Sequence, residues 1–248
     1  MIVMKIRNGL ILTSIIVITA CGGGGGSNPA LPTTTAPPPP EPVMIDFEVR
    51  VSNLTAGQPL SPMALIAHED GYSLFELGTP ASTALELLSE AGDNSDIIAE
   101  ADADNTVSTT LSAGGPLPPG ATEVMVLSVA EDDLDGLRLS LVSMMVNTND
   151  AITAAKNVDF SSLAEGERMA LYTYSYDAGT EANSEAAGSI PGPADGGEGF
   201  NAARDDISDE VRGHPGVVTA DDGLSTSVLT QVNRWDNPLT AVTITRMP

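Results

Sequence analysis

A period-two alternation that returns at intervals limits what this chain can fold into more than any other feature. Over residues 45–53, Ile45, Phe47, Val49 and Val51 alternate with Asp46, Glu48, Arg50 and Ser52; residues 123–129 resume the rhythm, and residues 172–176 set Tyr172, Tyr174 and Tyr176 against Thr173 and Ser175. Alternate side chains of a strand point to opposite faces, so each stretch reads as a strand with one buried and one wet face. Such strands belong to an antiparallel sheet. Further strands are expected at 60–67, as the partner of the first, at 107–111, at 137–146 and at 240–246. Residues 81–91 carry Ala84, Leu85, Leu87 and Leu88 at helical spacing, with Thr79 as the expected N-cap and Pro80 in the first helical position. Residues 93–103 are expected to add a short helical turn and 201–211 another helix. The fold class is therefore mainly β, an antiparallel β-sandwich with short helices.

Cys21 is the only cysteine, so no intramolecular disulfide holds this fold together. Its surroundings are distinctive: Lys5 and Arg7, an apolar run over 10–18 too short to span a bilayer, then Thr19-Ala20-Cys21. Residues 1–20 resemble a bacterial lipoprotein signal peptide, which implies cleavage before Cys21 and its acylation. Behind it, Gly22 to Gly26 is flexible and Pro37 to Pro40 is a semi-rigid spacer, so 21–42 reads as a linker and 43–248 as one domain. Because Gly22 rather than Asp follows the cysteine, the resemblance to Gram-negative lipoproteins implies anchoring to the outer membrane, facing the periplasm or the cell surface.

Charge narrows the partners. The chain has 10 basic and 34 acidic residues, and loss of Lys5 and Arg7 leaves the exported part near −26. A field of that sign repels nucleic acid and anionic head groups. Most of these carboxylates read as a solvated acidic surface. Those on turns at strand ends stand apart, because oxygen ligands on such turns suit a hard cation. Asp177, Thr180 and Glu181 follow the tyrosine strand across Gly179, and Asn147-Thr148-Asn149-Asp150 closes the apolar strand at 137–146. With those strand ends side by side, Asp150, Asp177 and Glu181 share one Ca2+. Asp132, Asp133 and Asp135 form a second-ranked calcium candidate. His68 beside Glu69 and Asp70 reads as polar loop, His214 as a packed or solvent-facing loop residue, and Trp235 as a core plug or the rim of a binding surface.

Leu139-Ser140-Leu141-Val142-Ser143-Met144-Met145-Val146 with Asn149-Asp150, then Tyr176-Asp177-Ala178-Gly179-Thr180-Glu181, Ile190-Pro191-Gly192-Pro193 and the closing Asn237-Pro238 with Thr243-Ile244-Thr245-Arg246 resemble the spondin N-terminal domain family. The resemblance extends over 44–246. It implies an antiparallel sandwich like that of calcium-dependent lipid-binding domains, with calcium held by loops at one end. It also implies an adhesion or binding role toward a protein or glycan at a cell surface or matrix, without enzymatic activity. Carried over, Asp150, Asp177 and Glu181 are the calcium ligands, Glu181 standing where animal members tend to have Asp. Ala151 replaces the family's aromatic residue after the first acid, and the family's disulfides are impossible here.

Two rivals follow from the same residues. Asp177 and Glu181 in the roles of acid and base suit a glycan-processing enzyme, although few aromatics are present to platform a sugar. A structural envelope lipoprotein needs no ligand at all.

Overall fold

The computed structural model describes residues 40–248. The expected signal peptide at 1–20, the expected lipidation site at Cys21 and nearly all of the expected 21–42 linker lie outside the described residues. Residues 41–248 form a compact unit. Its strands are β1 (Met44–Asn53), β2 (Ala64–His68), β3 (Val107–Ser112), β4 (Thr122–Ala130), β5 (Arg138–Met144), β6 (Ala151–Asp159), β7 (Arg168–Asp177), β8 (Arg212–Gly213) and β9 (Thr240–Arg246), with helices α1 (Thr83–Ala91) and α2 (Ser95–Ala103) between β2 and β3. The molecule is mainly β and its strand pairs are antiparallel, as the alternation requires.

The strands follow the order β3-β2-β5-β6-β7-β9-β1-β4, with β8 on β7. β7 is the fork. Its first half, from Arg168 to Thr173, pairs with β9, and its last residues, Tyr174 to Asp177, pair with β6. One strand therefore serves two sheets. At the fork, the buried hydroxyls of Thr153, Thr173 and Thr240 hydrogen-bond in a row at 2.6 and 2.7 Å, so the crossing leaves no buried hydroxyl unpaired. The order ends at β3 and β4, which lie against each other, so the sheet is nearly closed.

Phe47, Val49 and Val51 of β1, Leu127 and Val129 of β4 and Val242 and Ile244 of β9 pack with Leu65 and Ala67 of β2 and Leu139 and Leu141 of β5. That is the core between the sheets. The other face of β2, β5 and β6 carries Ala64, Ile66, Val142, Ile152 and Ala154, and these meet Ala84, Leu85 and Leu88 of α1 and Ile97 of α2. Covered on both faces, β2 and β5 are buried almost throughout.

Several expectations need correction. The expected strand at 60–67 begins at Ala64, and it pairs with β3 and β5, while β1 takes β4 and β9. Ser82 caps α1, its Oγ accepting the Leu85 N–H at 3.1 Å; Thr79 Oγ1 donates instead to the Glu76 carbonyl. The expected helix at 201–211 is a run of bends. β5 ends at Met144, and a strand absent from the sequence reading, β6, follows the turn that holds Asp150. His68 is not loop but the fully buried end of β2, bonded to the Glu69 carbonyl and the Ser140 hydroxyl.

Candidate functional site

β6 sets two of the expected acids, Asp150 and Asp177, beside each other, and the third, Glu181, touches Asp150 through its backbone N–H. Its first residue, Ala151, pairs with Asp177, so Asp150 lies beside the end of β7. The turn after β7 then folds over Asp150: Thr180 N–H and Glu181 N–H donate to its Oδ2 at 2.8 and 3.1 Å, and the Thr180 hydroxyl lies 3.4 Å from the same oxygen. Asp177 Oδ1 accepts the Gly179 N–H at 2.9 Å and closes the turn on itself. Gly179 sits at φ +76°, which suits glycine. Asp150, Asp177 and Thr180 are fully buried. Among the described residues, Asp150 Oδ1 has no hydrogen-bond partner.

Asp177 is better served. Its Oδ2 accepts Asn183 Nδ2 at 2.6 Å and Arg212 Nη2 at 3.0 Å, and Arg212 stands opposite Asp177 in the β7–β8 ladder. Arg212 Nη1 also reaches Asp206 Oδ2 at 2.6 Å. One guanidinium thus serves Asp177 and Asp206, with Asp150 adjacent. Negative charge exceeds positive charge here, and the protonation equilibria reflect it. Burial, then the charge of Asp177, pushes Asp150 up to about 7 against the pull of its two amide hydrogen bonds. Burial also raises Asp177, although Asn183 and Arg212 oppose it. Glu181, half-buried, is pushed up to about 8 by burial and then by the charge of Glu90.

Sequence reasoning missed Arg212, Asn183, Asp206 and Glu90. Nothing about Asn183, Asp206 or Glu90 sets them apart from their neighbours. Arg212 had a signal, since an arginine is conspicuous among so many acids.

The network continues outward through His214. Gly216 N–H donates to His214 Nδ1 at 3.0 Å, which places the ring proton on Nε2, facing Asn183 Oδ1 at 3.1 Å. The ring packs on Trp235 with centroids 5.2 Å apart. Trp235 in turn packs against the main core and the small cluster of Ile190, Val217 and Leu229. It also lines, with Leu54, Thr55, Gln231, Arg234 and Asp236, an open cavity of about 430 Å³. Trp235 is thus a partly buried side chain that packs on the core and borders this cavity.

Burial, then the Arg212 charge, depresses His214 to about 4. The unfolded chain takes up this proton near pH 6.5, so between about 6.5 and 4 the unfolded state holds more protons and stability is lost as the pH is lowered. Below about 4 the loss levels off. His214→Gln removes the effect, so from pH 7 to 4.5 the wild type is expected to lose about 2 kcal/mol more than the variant. Urea midpoints of the two at both pH values check it, and parallel losses refute it.

Among the described residues, no group of three or more His, Cys, Asp or Glu side chains is already disposed to hold a metal ion. Asp132, Asp133 and Asp135 lie exposed on the turn between β4 and β5. The chemistry at Asp150 nevertheless suits a hard cation. Its donors are oxygens, its acids are buried in excess of their counter-charge, and Asp150 Oδ1 is an unpaired buried carboxylate oxygen, which is costly without a proton or a cation. No family model matches the chain, and no curated protein matches it in sequence.

Proposed function

We propose that the chain is a spondin-like binding module that is exported, held to the outer membrane through Cys21, and ordered at one end of its sandwich by calcium. The observation that carries this reading is Asp150, fully buried beside a second buried acid with one oxygen unpartnered. Asp150, Asp177 and Glu181 would hold the ion. Bound calcium would supply the positive charge that Arg212 alone does not. The chain's own part is to hold the acids: the Thr180 and Glu181 amides fix Asp150, while Gly179 and Asn183 fix Asp177. The cavity beside Trp235 offers a surface for a protein or glycan, linked to Asp177 through His214 and Asn183.

Extracellular calcium modules bind with Kd of about 10⁻⁴ to 10⁻³ M, so ~10 mM calcium stabilises such a fold by about 1–3 kcal/mol. For a domain of this size the melting temperature is expected to rise by about 3–10 °C over that in chelator. The measurement is thermal unfolding of the full chain in chelator, in calcium and in magnesium. Equal midpoints in all three would defeat the reading, and so would a calcium response left intact in Asp177→Asn.

A further inference from the structure

The cavity beside Trp235 is held more firmly than an ordinary loop surface. Its walls are residues 54–56, after β1, and the turn at 231–236. The two walls are laced together. Gln58 Nε2 donates to the Asn233 carbonyl at 2.8 Å, Asn233 Nδ2 reaches the Gly57 carbonyl at 3.3 Å, and Gly57 lies so close that a Cβ there would clash with the Val232 carbonyl. The polar lining is fixed as well: Arg234 Nη1 donates to Asp222 Oδ1 at 2.9 Å, and Gln231 Nε2 donates to the Thr219 hydroxyl at 3.0 Å. Behind Trp235 stand the core and the His214 ring. Three groups are left over. Among the described residues, nothing hydrogen-bonds to the Trp235 indole N–H, to the exposed Asp236 carboxylate or to Arg234 Nη2.

A fixed array of one aromatic, one acceptor and one donor suits a particular ligand chemistry. An aromatic face attracts weakly positive C–H bonds, a carboxylate accepts from hydroxyls, and a guanidinium donates to them. A sugar ring offers all three. The volume of about 430 Å³ also lies within the range of small-ligand sites. Charge selects within that class: an anion meets Asp222, Asp236 and a chain of net charge −24, and a cation meets Arg234. Tyr172 and Tyr174 extend the site, 53% and 50% exposed on the outer face of the sheet. Tyr172 pairs with Ala241 and Ala241 with Ser52, so Leu54, at the cavity's edge, continues that face. Leu54 N–H donates to the Leu239 carbonyl and Leu239 N–H to that of Thr173, which puts the tyrosines two strands, about 10 Å, from the cavity's edge. We infer that this surface binds a neutral oligosaccharide, one ring stacking on Trp235 within reach of Asp236 and Arg234 and the rest running over Leu54 toward Tyr172 and Tyr174. This rests on the binding-module reading above and narrows its protein or glycan to an uncharged glycan; it needs no bound ion.

Trp235 is the only tryptophan, so its emission reports on this cavity alone. The test is a fluorescence titration of the full chain with maltohexaose, cellohexaose and chitohexaose, and with hexagalacturonate as the acidic control, each in chelator and in millimolar calcium. At least one neutral hexasaccharide is expected to change the emission saturably, and hexagalacturonate to leave it unchanged. Asp236→Ala is expected to weaken that binding by at least ~10-fold. Joint replacement Tyr172→Ala and Tyr174→Ala is expected to weaken the hexasaccharide several-fold and to spare the disaccharide of the same sugar. Both variants alter exposed side chains, so their urea midpoints should stay near that of the wild type. No response to any neutral sugar, a preference for hexagalacturonate, or wild-type hexasaccharide affinity in either variant would overturn the inference. An emission change with protein concentration alone would give the face to a second copy of the chain and overturn it too. The calcium reading fails separately: saturable sugar binding in chelator, with no calcium-dependent shift in melting temperature, defeats that reading and leaves this one standing.

Discussion

Gly179→Ala is expected to destabilise the domain by roughly 3–5 kcal/mol, where Gly78→Ala costs about 1 kcal/mol. The two glycines have nearly the same backbone angle, φ +76° and +77°, so the left-handed penalty on an L-residue is common to both. They differ in what a methyl group would meet. A Cβ on Gly78 would have open space within 4 Å, whereas one on Gly179 would lie 2.4, 2.6 and 2.8 Å from the O, N and C atoms of Glu210. Those are backbone atoms and cannot rotate away. Relief would require shifting either the turn that carries Thr180 and Glu181 or the segment that leads into Arg212. Either shift loosens Asp150, so the variant is also expected to bind calcium more weakly than Gly78→Ala. Urea unfolding of the two variants measures the difference, and equal losses would mean that the turn is not pressed against residue 210 as described.

What could be read in advance, and what could not, follows from which faces are wet. β1, β4 and β7 each keep one exposed face for much of their length, and their alternation is plain in the residues. The first half of β6 is buried on both faces, between the core and α1, and there Ala-Ile-Thr-Ala-Ala has no alternation to show. β2 is buried on both sides for the same reason, so nothing in its sequence distinguishes β1 from β5 as its neighbour. The residues at 201–211 look capable of a helix, yet their polar side chains are used otherwise. Asn201 and Asp205 accept backbone N–H groups, Arg204 reaches across to α1, and Ile207 is 99% exposed with no apolar surface to meet. At the site, Asp150 and Asp177 were legible because acids on turns at strand ends are conspicuous. Their proximity is real, but it comes from β6, not from β5. Arg212 arrives from a distant part of the chain, and only the assembled fold sets it beside those acids.

Arg212→Gln is expected to expose what that assembly balances. Arg212 holds Asp177 at 3.0 Å and Asp206 at 2.6 Å, and its charge also acts on Asp150. Asp177 is fully buried, so removing its cation leaves an uncompensated charge inside the fold, a loss of 3–5 kcal/mol for a pair buried on both sides. The arginine side chain is 36% exposed, and solvent reduces that figure to about 2–4 kcal/mol. In chelator, the variant should therefore unfold at distinctly lower urea than the wild type. Calcium changes the sign of the comparison in one respect. A guanidinium beside Asp177 competes with a divalent ion for the same carboxylate, so its removal should tighten calcium binding even as it weakens the ion-free fold. Millimolar calcium is expected to restore more stability to Arg212→Gln than it adds to the wild type. A variant that loses stability in chelator and recovers none of it in calcium would mean that the guanidinium, and no metal, is the cation this cluster was built around.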